Sequence, residues 1–244
     1  MFLTQRTAER EHFDAPGQTL ADLREYYQWL DRINRLTRAE APYLSCLPRE
    51  LGRAECQHLT FLDVGAGAGQ LGNLVEVAAA TQGMHWEFTN LEMNPLAAQL
   101  NAEGRHVVAN ALSIPFEDGS FDVVTATTMT HHLENEEEVV RHFAEAWRVA
   151  RRAVFIYDLH RNPIFAAAVW TLLFALQCPR EIREDGVLSV KRGWRVGEWQ
   201  ALARKAGITH AKVWQEHGTR VFLLARKSYQ PVELIPTGRQ SCWG

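Results

Sequence analysis

The sequence has no excess of basic residues, no long apolar run and no closely spaced cysteines. Its 26 Lys and Arg are outnumbered by 29 Asp and Glu, which gives a formal net charge of −3. Nucleic-acid backbones select basic surfaces, so nucleic acid is not an expected partner. The four cysteines form no C-x-x-C pair, which argues against a disulfide framework and against structural zinc. No metal site is therefore predicted.

Membrane insertion and secretion are not expected either. No segment approaches the roughly 18 consecutive apolar residues of a spanning helix. Arg6 stands where a signal peptide would have its apolar region. We therefore expect a soluble, cytoplasmic protein without a membrane span. Its 244 residues, 46% of them hydrophobic, are enough for one domain with added elements, since domains average about 150 residues.

Short apolar runs alternate with helical patterns through the middle of the chain. The runs are Leu59–Val64, Trp86–Leu91, His106–Ala109, Phe121–Thr125 and Ala153–Asp158, with two more at His210–Gln215 and Arg220–Ala225. Alternating strands and helices predict a parallel sheet that is covered on both faces.

Three amphipathic helices are predicted with definite bounds. The first covers Leu20–Leu36, where apolar residues recur at steps of three and four behind a capping box of Thr19 and Asp22. The others are Asn135–Ala150 and Val196–Ala206. We assign residues 1–58 to an N-terminal helical extension, 59–226 to the main domain and 227–244 to an irregular tail.

An insertion at about 162–194 interrupts the alternation. Asn162-Pro163 favours a helix start, and the run from Ile164 to Leu176 is apolar nearly all round but too short to span a bilayer. Three interpretations stay open: a buried core helix, a lid over an apolar substrate, and a contact surface for a membrane or a second copy.

A glycine-rich loop follows the first predicted strand, with Gly65, Gly67 and Gly69 at alternate positions. The run from Gly67 to Gly72 formally matches the dinucleotide fingerprint G-x-G-x-x-G, with Glu92 as the ribose-binding acid. However, Asp63 would face the pyrophosphate of a dinucleotide, and like charges repel. An ammonium and a sulfonium are favourable there, so S-adenosylmethionine is the better ligand.

Three blocks of sequence support this choice. They resemble successive motifs of class I S-adenosylmethionine-dependent methyltransferases. The first is Leu62-Asp-Val-Gly-Ala-Gly-Ala-Gly69 and the second is Asn90-Leu-Glu-Met-Asn-Pro95. The third runs from Ala109 to Val124 and contains Ile-Pro-Phe-Glu-Asp-Gly-Ser-Phe-Asp. The likeness is to the small-molecule branch, methyltransferase type 11, which includes quinone methyltransferases. It implies a Rossmann-like, doubly wound, seven-stranded, mostly parallel sheet whose last strand is antiparallel.

The resemblance also implies a set of cofactor-binding residues. Asp63, Gly65 and Gly67 would bind the methionyl end, Glu92 the ribose hydroxyls, Met93 the adenine face, and Asn110 with Ala111 the adenine edge; Ala66 and Thr127 complete the set. The family usually has Asp where Asn110 stands. Since Asn lacks the charge, we expect weaker affinity for the same cofactor.

Candidates for chemistry follow the fourth and fifth strands. His131 and His132 lie where loops line the ligand crevice, and either is a candidate base; packing or capping is the alternative role. Asp158, His160 and Arg161 are candidates to orient an acceptor, or to cap the next helix. Tyr27 and Trp170 are candidate aromatic walls for the substrate.

The predicted function is methyl transfer from S-adenosylmethionine to a small, apolar or aromatic acceptor such as a phenol, quinone or polyketide, at oxygen or carbon. Two alternatives remain: an NAD-dependent oxidoreductase, and a methyltransferase-like protein that binds cofactor without catalysis. The acceptor atom and the formation of a homo-oligomer are not determined by the sequence.

Overall fold

Seven strands form a single mixed sheet in a computed structural model that describes residues 3–100 and 105–227. The strands are β1 His58–Val64, β2 His85–Glu92, β3 Arg105–Val108, β4 Phe121–Thr127, β5 Ala150–Leu159, β6 Lys212–Glu216 and β7 Arg220–Arg226. Their order is β3-β2-β1-β4-β5-β7-β6. Strands β1 to β5 pair in parallel, and β7 runs antiparallel to both β5 and β6. The predicted Rossmann-like sheet with an antiparallel last strand is confirmed.

Eight α-helices in the described part of the chain connect or extend this sheet. They are α1 Leu20–Leu36, α2 Ala41–Leu51, α3 Gln70–Ala80, α4 Pro95–Ala98, α5 Glu136–Val149, α6 Pro163–Ala175, α7 Arg180–Arg192 and α8 Val196–Lys205. The capping box predicted for α1 is present, since Thr19 accepts from the Asp22 N–H and Asp22 accepts from the Thr19 N–H. Asn162 likewise caps α6 by accepting from the Ile164 N–H at 2.9 Å.

Two helices, α2 and α7, have no counterpart in the sequence prediction. Pro42 and Pro48 suggest an interrupted segment, yet Pro42 occupies the first turn of α2, where its missing N–H costs nothing. Pro48 lies in the last turn, and the helix ends at Leu51 immediately before Gly52. Helix α7 is hidden in the sequence by its mixture of charged residues, two of which, Asp185 and Arg192, are buried in the fold.

The sheet separates two apolar layers. Helices α5 and α8 cover one face, where Phe143 and Trp199 meet edge to face with centroids 5.6 Å apart. Helices α2 and α3 cover the other face, and their core includes Tyr43, Phe61 and Phe88. This three-layer arrangement leaves the carboxyl ends of β1, β2, β4 and β5 together at one edge. In sheets of this kind ligands bind where the strand order reverses, here between β1 and β4.

The insertion forms a helical pair beside this edge. Helix α6 buries only Ala166 and Leu173 and exposes Ile164, Trp170 and Phe174. It is therefore not a core helix, and its inner side packs on Ile182 of α7 and, together with α7, on α1. Within the two described ranges, none of the helices has the length and apolar character needed to cross a bilayer. The predicted irregular tail beyond Lys227, with Cys242, lies outside the described residues.

Tyr43 ties α2 to the sheet and provides a test of the fold. Its hydroxyl is fully buried and lies 2.8 Å from Thr125 Oγ1 and 2.7 Å from Thr127 Oγ1. We expect Tyr43→Phe to lower the free energy of unfolding by about 1–2 kcal/mol, because two buried hydroxyls lose a partner. Urea unfolding followed by circular dichroism measures this. Ser45→Ala, on the exposed side of the same helix, is the matched control, and an equal loss there would contradict the assignment.

Candidate active site

A cavity of 710 Å³ opens at the carboxyl ends of the strands. One wall consists of the glycine loop, the end of β2, residues 109–112, residues 127–129 and residues 132–133. The opposite wall consists of residues 13–18 and α1. Every predicted cofactor residue lines this cavity: Asp63, Gly65, Ala66, Gly67, Glu92, Met93, Asn110, Ala111 and Thr127. Tyr27 and His132 line it as well, whereas His131, Asp158, His160 and Trp170 do not.

The glycine loop turns sharply between β1 and α3. Gly65, Gly67 and Gly69 have φ values of +72°, +56° and +75°, a region that L side chains rarely adopt. Glu92 fixes the loop, because its Oε2 accepts from the Gly67 N–H at 2.9 Å and its Oε1 accepts from the Asn94 N–H at 2.8 Å. A carboxylate held in this way retains lone pairs on both oxygens, and those lone pairs fit a pair of ribose hydroxyls.

Asp63 is a buried carboxyl group on this wall, and a positively charged ligand would stabilise its ionised form. Its side chain is 3% exposed, and burial, together with the nearby Glu92, raises its pKa to about 7. Burial favours the neutral acid form of Asp63, whereas a cation beside the group would favour the ionised form. The ammonium of S-adenosylmethionine is such a cation, while the pyrophosphate of a dinucleotide would add a further negative charge.

Tyr27 of α1 covers the glycine loop. A Cβ atom built on Gly67 would lie 2.4 Å from Tyr27 Cε1, so the ring touches the backbone at this position. The neighbouring Tyr26 stacks on Phe13 with ring centroids 4.1 Å apart. The N-terminal extension therefore provides an aromatic wall that faces the cofactor residues across the cavity.

Asn110 uses its side chain in its own turn. Its Oδ1 accepts from the Leu112 N–H at 2.8 Å, and the residue is exposed. This hydrogen bond uses one of the two lone pairs of Oδ1, so one remains for the adenine edge that the resemblance assigns to Asn110. The weaker affinity expected from Asn in place of Asp stays a prediction.

His131 lies behind the cavity wall in a buried ionic cluster. Its Nδ1 is 2.7 Å from Asp158 Oδ1, and its Nε2 is 3.4 Å from Glu11 Oε1. Burial opposes protonation, but the two carboxylates outweigh it and raise the pKa of His131 to about 10. Asp158 also accepts the backbone N–H of His131 at 2.8 Å. Both residues thus hold the segment after β4 in place.

His132 occupies the cavity side of the same turn. Its Nδ1 lies 2.8 Å from Asp14 Oδ2, and both side chains are about one-third exposed. Of the two histidines considered as a base, His132 is the one that lines the cavity. Its partner Asp14 comes from the N-terminal extension, more than a hundred residues away in sequence.

Two arginines bind the N-terminal segment to this turn through backbone carbonyls. Arg192 donates to the carbonyls of His131, His132 and Glu9 at 3.0, 2.8 and 2.7 Å. Arg6 donates to the carbonyls of His131, Leu133 and Arg192. These contacts tie Arg6 and Glu9 to the turn, and the segment that follows, residues 13–18, lines the cavity.

The remaining predicted substrate residues lie elsewhere. Trp170 is half exposed and stacks on Phe174 on the outer side of α6. His160 pairs with Trp194 through a backbone bridge. Arg161, buried, donates to the Gly193 carbonyl at 2.7 Å and to Glu198. Asn162, rather than Asp158 or His160, caps α6.

The residues that sequence reasoning missed belong to the extension: Glu11, Phe13 and Asp14. They occur in a mixed, charged stretch without helical or strand periodicity, so no local pattern marks them. Each acquires its neighbours only when the extension folds back across the end of the sheet.

The fold and the cavity define a class. Four features are together those of the class I S-adenosylmethionine-dependent methyltransferases. They are a seven-stranded sheet with β7 inserted antiparallel, a glycine loop after β1, an acid at the end of β2 and a buried carboxylate suited to an ammonium. The residues present fit that cofactor.

Comparisons with known proteins agree with this class. Residues 62–157 match the methyltransferase domain family. An uncharacterized methyltransferase from Mycobacterium sp. (strain JLS) is 33% identical over 110 residues, which span 43% of this chain and only 40% of that relative.

Solved structures show the same fold. A putative S-adenosylmethionine-dependent methyltransferase from Methanococcus maripaludis superposes with a TM-score of 0.57 at 14% identity, covering 89% of this chain and 98% of that one. A methyltransferase from Aquifex aeolicus gives a TM-score of 0.53 at 16% identity, covering 86% and 99%.

The raised pKa of Asp63 predicts a pH-dependent cofactor affinity. Because the ammonium of S-adenosylhomocysteine favours the carboxylate, we expect affinity to be constant above pH 7 and to fall below it, by up to about tenfold per pH unit. Calorimetric titrations between pH 5.5 and 8 measure this. Asp63→Asn should bind weakly at every pH without that slope, whereas exposed Asp118→Asn should behave as the wild type. A pH-independent wild type would contradict the placement of the ammonium.

Proposed function

We propose that this protein transfers a methyl group from S-adenosylmethionine to a small, uncharged aromatic or apolar acceptor. The observation that supports this most directly is that one continuous cavity contains both the cofactor residues and the aromatic wall of the extension. A cofactor placed along the glycine loop would thus share its cavity with an acceptor resting against Tyr26 and Tyr27. The cofactor, when bound, supplies an activated methyl group on a sulfonium for in-line displacement.

The charge of the cavity argues against an anionic acceptor. Its described lining residues include Asp14, Asp63, Glu92, Glu134 and Glu138 but no Lys or Arg. An anionic acceptor would meet repulsion from these carboxylates and no cation to offset it. A phenol, quinone or polyketide in its neutral form meets no such penalty, and its flat ring fits between aromatic side chains.

We expect the protein to accelerate methyl transfer mainly by positioning the acceptor. The donor is already activated, so holding the acceptor in line with the methyl group at near-attack distance supplies much of the rate. Tyr27 is suited to this role, since it touches the glycine loop on one side and the open cavity on the other. The bonds of Arg6 and Arg192 to the turn after β4 keep the opposite wall fixed.

One pair of experiments tests the reaction class. We expect S-adenosylhomocysteine to raise the melting temperature and NADH to leave it unchanged, because Asp63 repels a pyrophosphate. We further expect transfer of label from S-adenosylmethionine to members of a panel of neutral phenols and quinones. Stabilisation by NADH alone would indicate the oxidoreductase alternative. Cofactor binding without transfer to any panel member would favour the non-catalytic alternative.

Tyr27→Ala tests the aromatic wall. Loss of the ring removes both an acceptor contact and the cover of the glycine loop, so we expect the KM for the acceptor to rise by about tenfold or more, equivalent to about 1.4 kcal/mol. Steady-state kinetics on the best panel substrate measures this. Phe174→Ala removes an exposed aromatic residue of α6 outside the cavity and is the matched control. Equal effects of both substitutions would contradict the wall.

A further inference from the structure

One cluster of side chains at the cavity edge has no role in the cofactor site: Glu11, His131 and His132. One nitrogen of each imidazole and one oxygen of the carboxylate all lie within 4.8 Å of one another. The two rings face each other with centroids 4.2 Å apart at an angle of 35°. Two imidazoles and a carboxylate that converge in this way are a common ligand set for zinc and related ions.

The hydrogen bonds around the two rings match those of metal-binding histidines. His131 directs its Nδ1 to Asp158 at 2.7 Å, and His132 directs its Nδ1 to Asp14 at 2.8 Å. In metal sites the ring nitrogen opposite the metal is usually held by a carboxylate, which fixes the tautomer and raises ligand basicity. The Nε2 of His132 is therefore left to bind a cation, and the Nε2 of His131 becomes a ligand when the ion displaces its proton.

The Nε2 of His131 is buried and has no hydrogen-bond partner of acceptable geometry among the described residues. It points toward Glu11, whose Oε1 lies 3.4 Å away, and both side chains are at most 3% exposed. Leaving a buried polar atom without a hydrogen bond is costly. An ion between the nitrogen and the carboxylate would give both a partner.

Charge also favours a cation here. Three carboxylates, Glu11, Asp14 and Asp158, surround the rings. Ser189 donates a hydrogen bond to Glu11 at 2.9 Å. The nearby guanidinium of Arg192 donates to backbone carbonyls instead of to these carboxylates.

We propose that Glu11, His131 and His132 form a binding site for a divalent transition-metal ion, with Zn²⁺ as the preferred occupant. Asp14 and Asp158 are positioning residues that orient the two rings. Two imidazole nitrogens favour Zn²⁺ or Co²⁺ over Mg²⁺, which prefers oxygen ligands. Three protein ligands leave at least one coordination position for another molecule.

That open position would face the cavity, since His132 and Asp14 are the members of the cluster that line it. A metal ion there would polarise the oxygen of a hydroxylated acceptor and help it to lose its proton. This second role depends on the proposed function, whereas metal binding itself does not.

The test is calorimetric titration of the full-length protein, first stripped with a chelator, with Zn²⁺ and separately with Mg²⁺. We expect one Zn²⁺ per chain and no comparable heat with Mg²⁺. Co²⁺ should give a visible absorption spectrum of mixed nitrogen and oxygen coordination, which Zn²⁺ then displaces.

Four variants locate the site. Glu11→Gln and His132→Gln should abolish stoichiometric binding, and Asp14→Asn should weaken it by about 10–100-fold, as is usual for residues that orient a ligand. His12→Gln replaces an exposed histidine of the same segment and should bind as the wild type. Circular dichroism and S-adenosylhomocysteine affinity, both expected to be retained, show that each variant is folded.

Absence of stoichiometric Zn²⁺ binding by the wild type would overturn the proposal. So would equal loss in His12→Gln and His132→Gln, which would indicate adventitious binding to surface histidines. Zn²⁺ binding without methyl transfer would refute the proposed function and leave the metal site intact. Methyl transfer by a protein that binds no Zn²⁺ would do the reverse.

Discussion

The carboxyl edge of this sheet depends on one constraint, which is that three carboxylates are buried there away from water. Asp63 at the end of β1, Asp158 near the end of β5 and Glu11 from the extension are all nearly fully buried within one region. Burying a carboxylate is unfavourable unless a cation or several hydrogen-bond donors accompany it. Asp158 is balanced by His131 and two backbone N–H groups, and Glu11 by His131 and the Ser189 hydroxyl. Asp63, by contrast, faces the cavity with a raised pKa. The site is in this sense built for a cationic ligand.

The basic residues near the site explain why the cavity stays acidic. Arg6 and Arg192 direct their guanidinium groups to backbone carbonyls of the turn after β4, and Arg161 donates to Gly193 and Glu198. These guanidinium groups therefore stabilise the backbone behind the cavity wall instead of binding the ligand. The same bonds tie the N-terminal extension to the sheet, so cavity shape and extension position depend on each other.

Sequence patterns predicted the elements whose signal is local. The strands appear as short apolar runs, and the helices α1, α5 and α8 have apolar residues at helical spacing. Each is found within a few residues of its predicted bounds. Helix α2 was not predicted because its two prolines suggest interruption, although their positions in its first and last turns are tolerated. The apolar run of α6 left three interpretations open because composition cannot show which neighbour covers a helix.

The sequence by itself determined the class of fold and the cofactor side of the cavity, because those residues belong to contiguous motifs: the glycine loop, the acid at the end of β2 and the turn at 109–112. Only the tertiary structure decided which residues form the opposite wall of the cavity. Asp14 meets His132 and Tyr27 meets Gly67 across separations of tens to more than a hundred residues, and the cluster of Glu11 with His131 arises in the same way. Such contacts leave no local periodicity, since they depend on the path of the extension over the sheet and on the burial that follows.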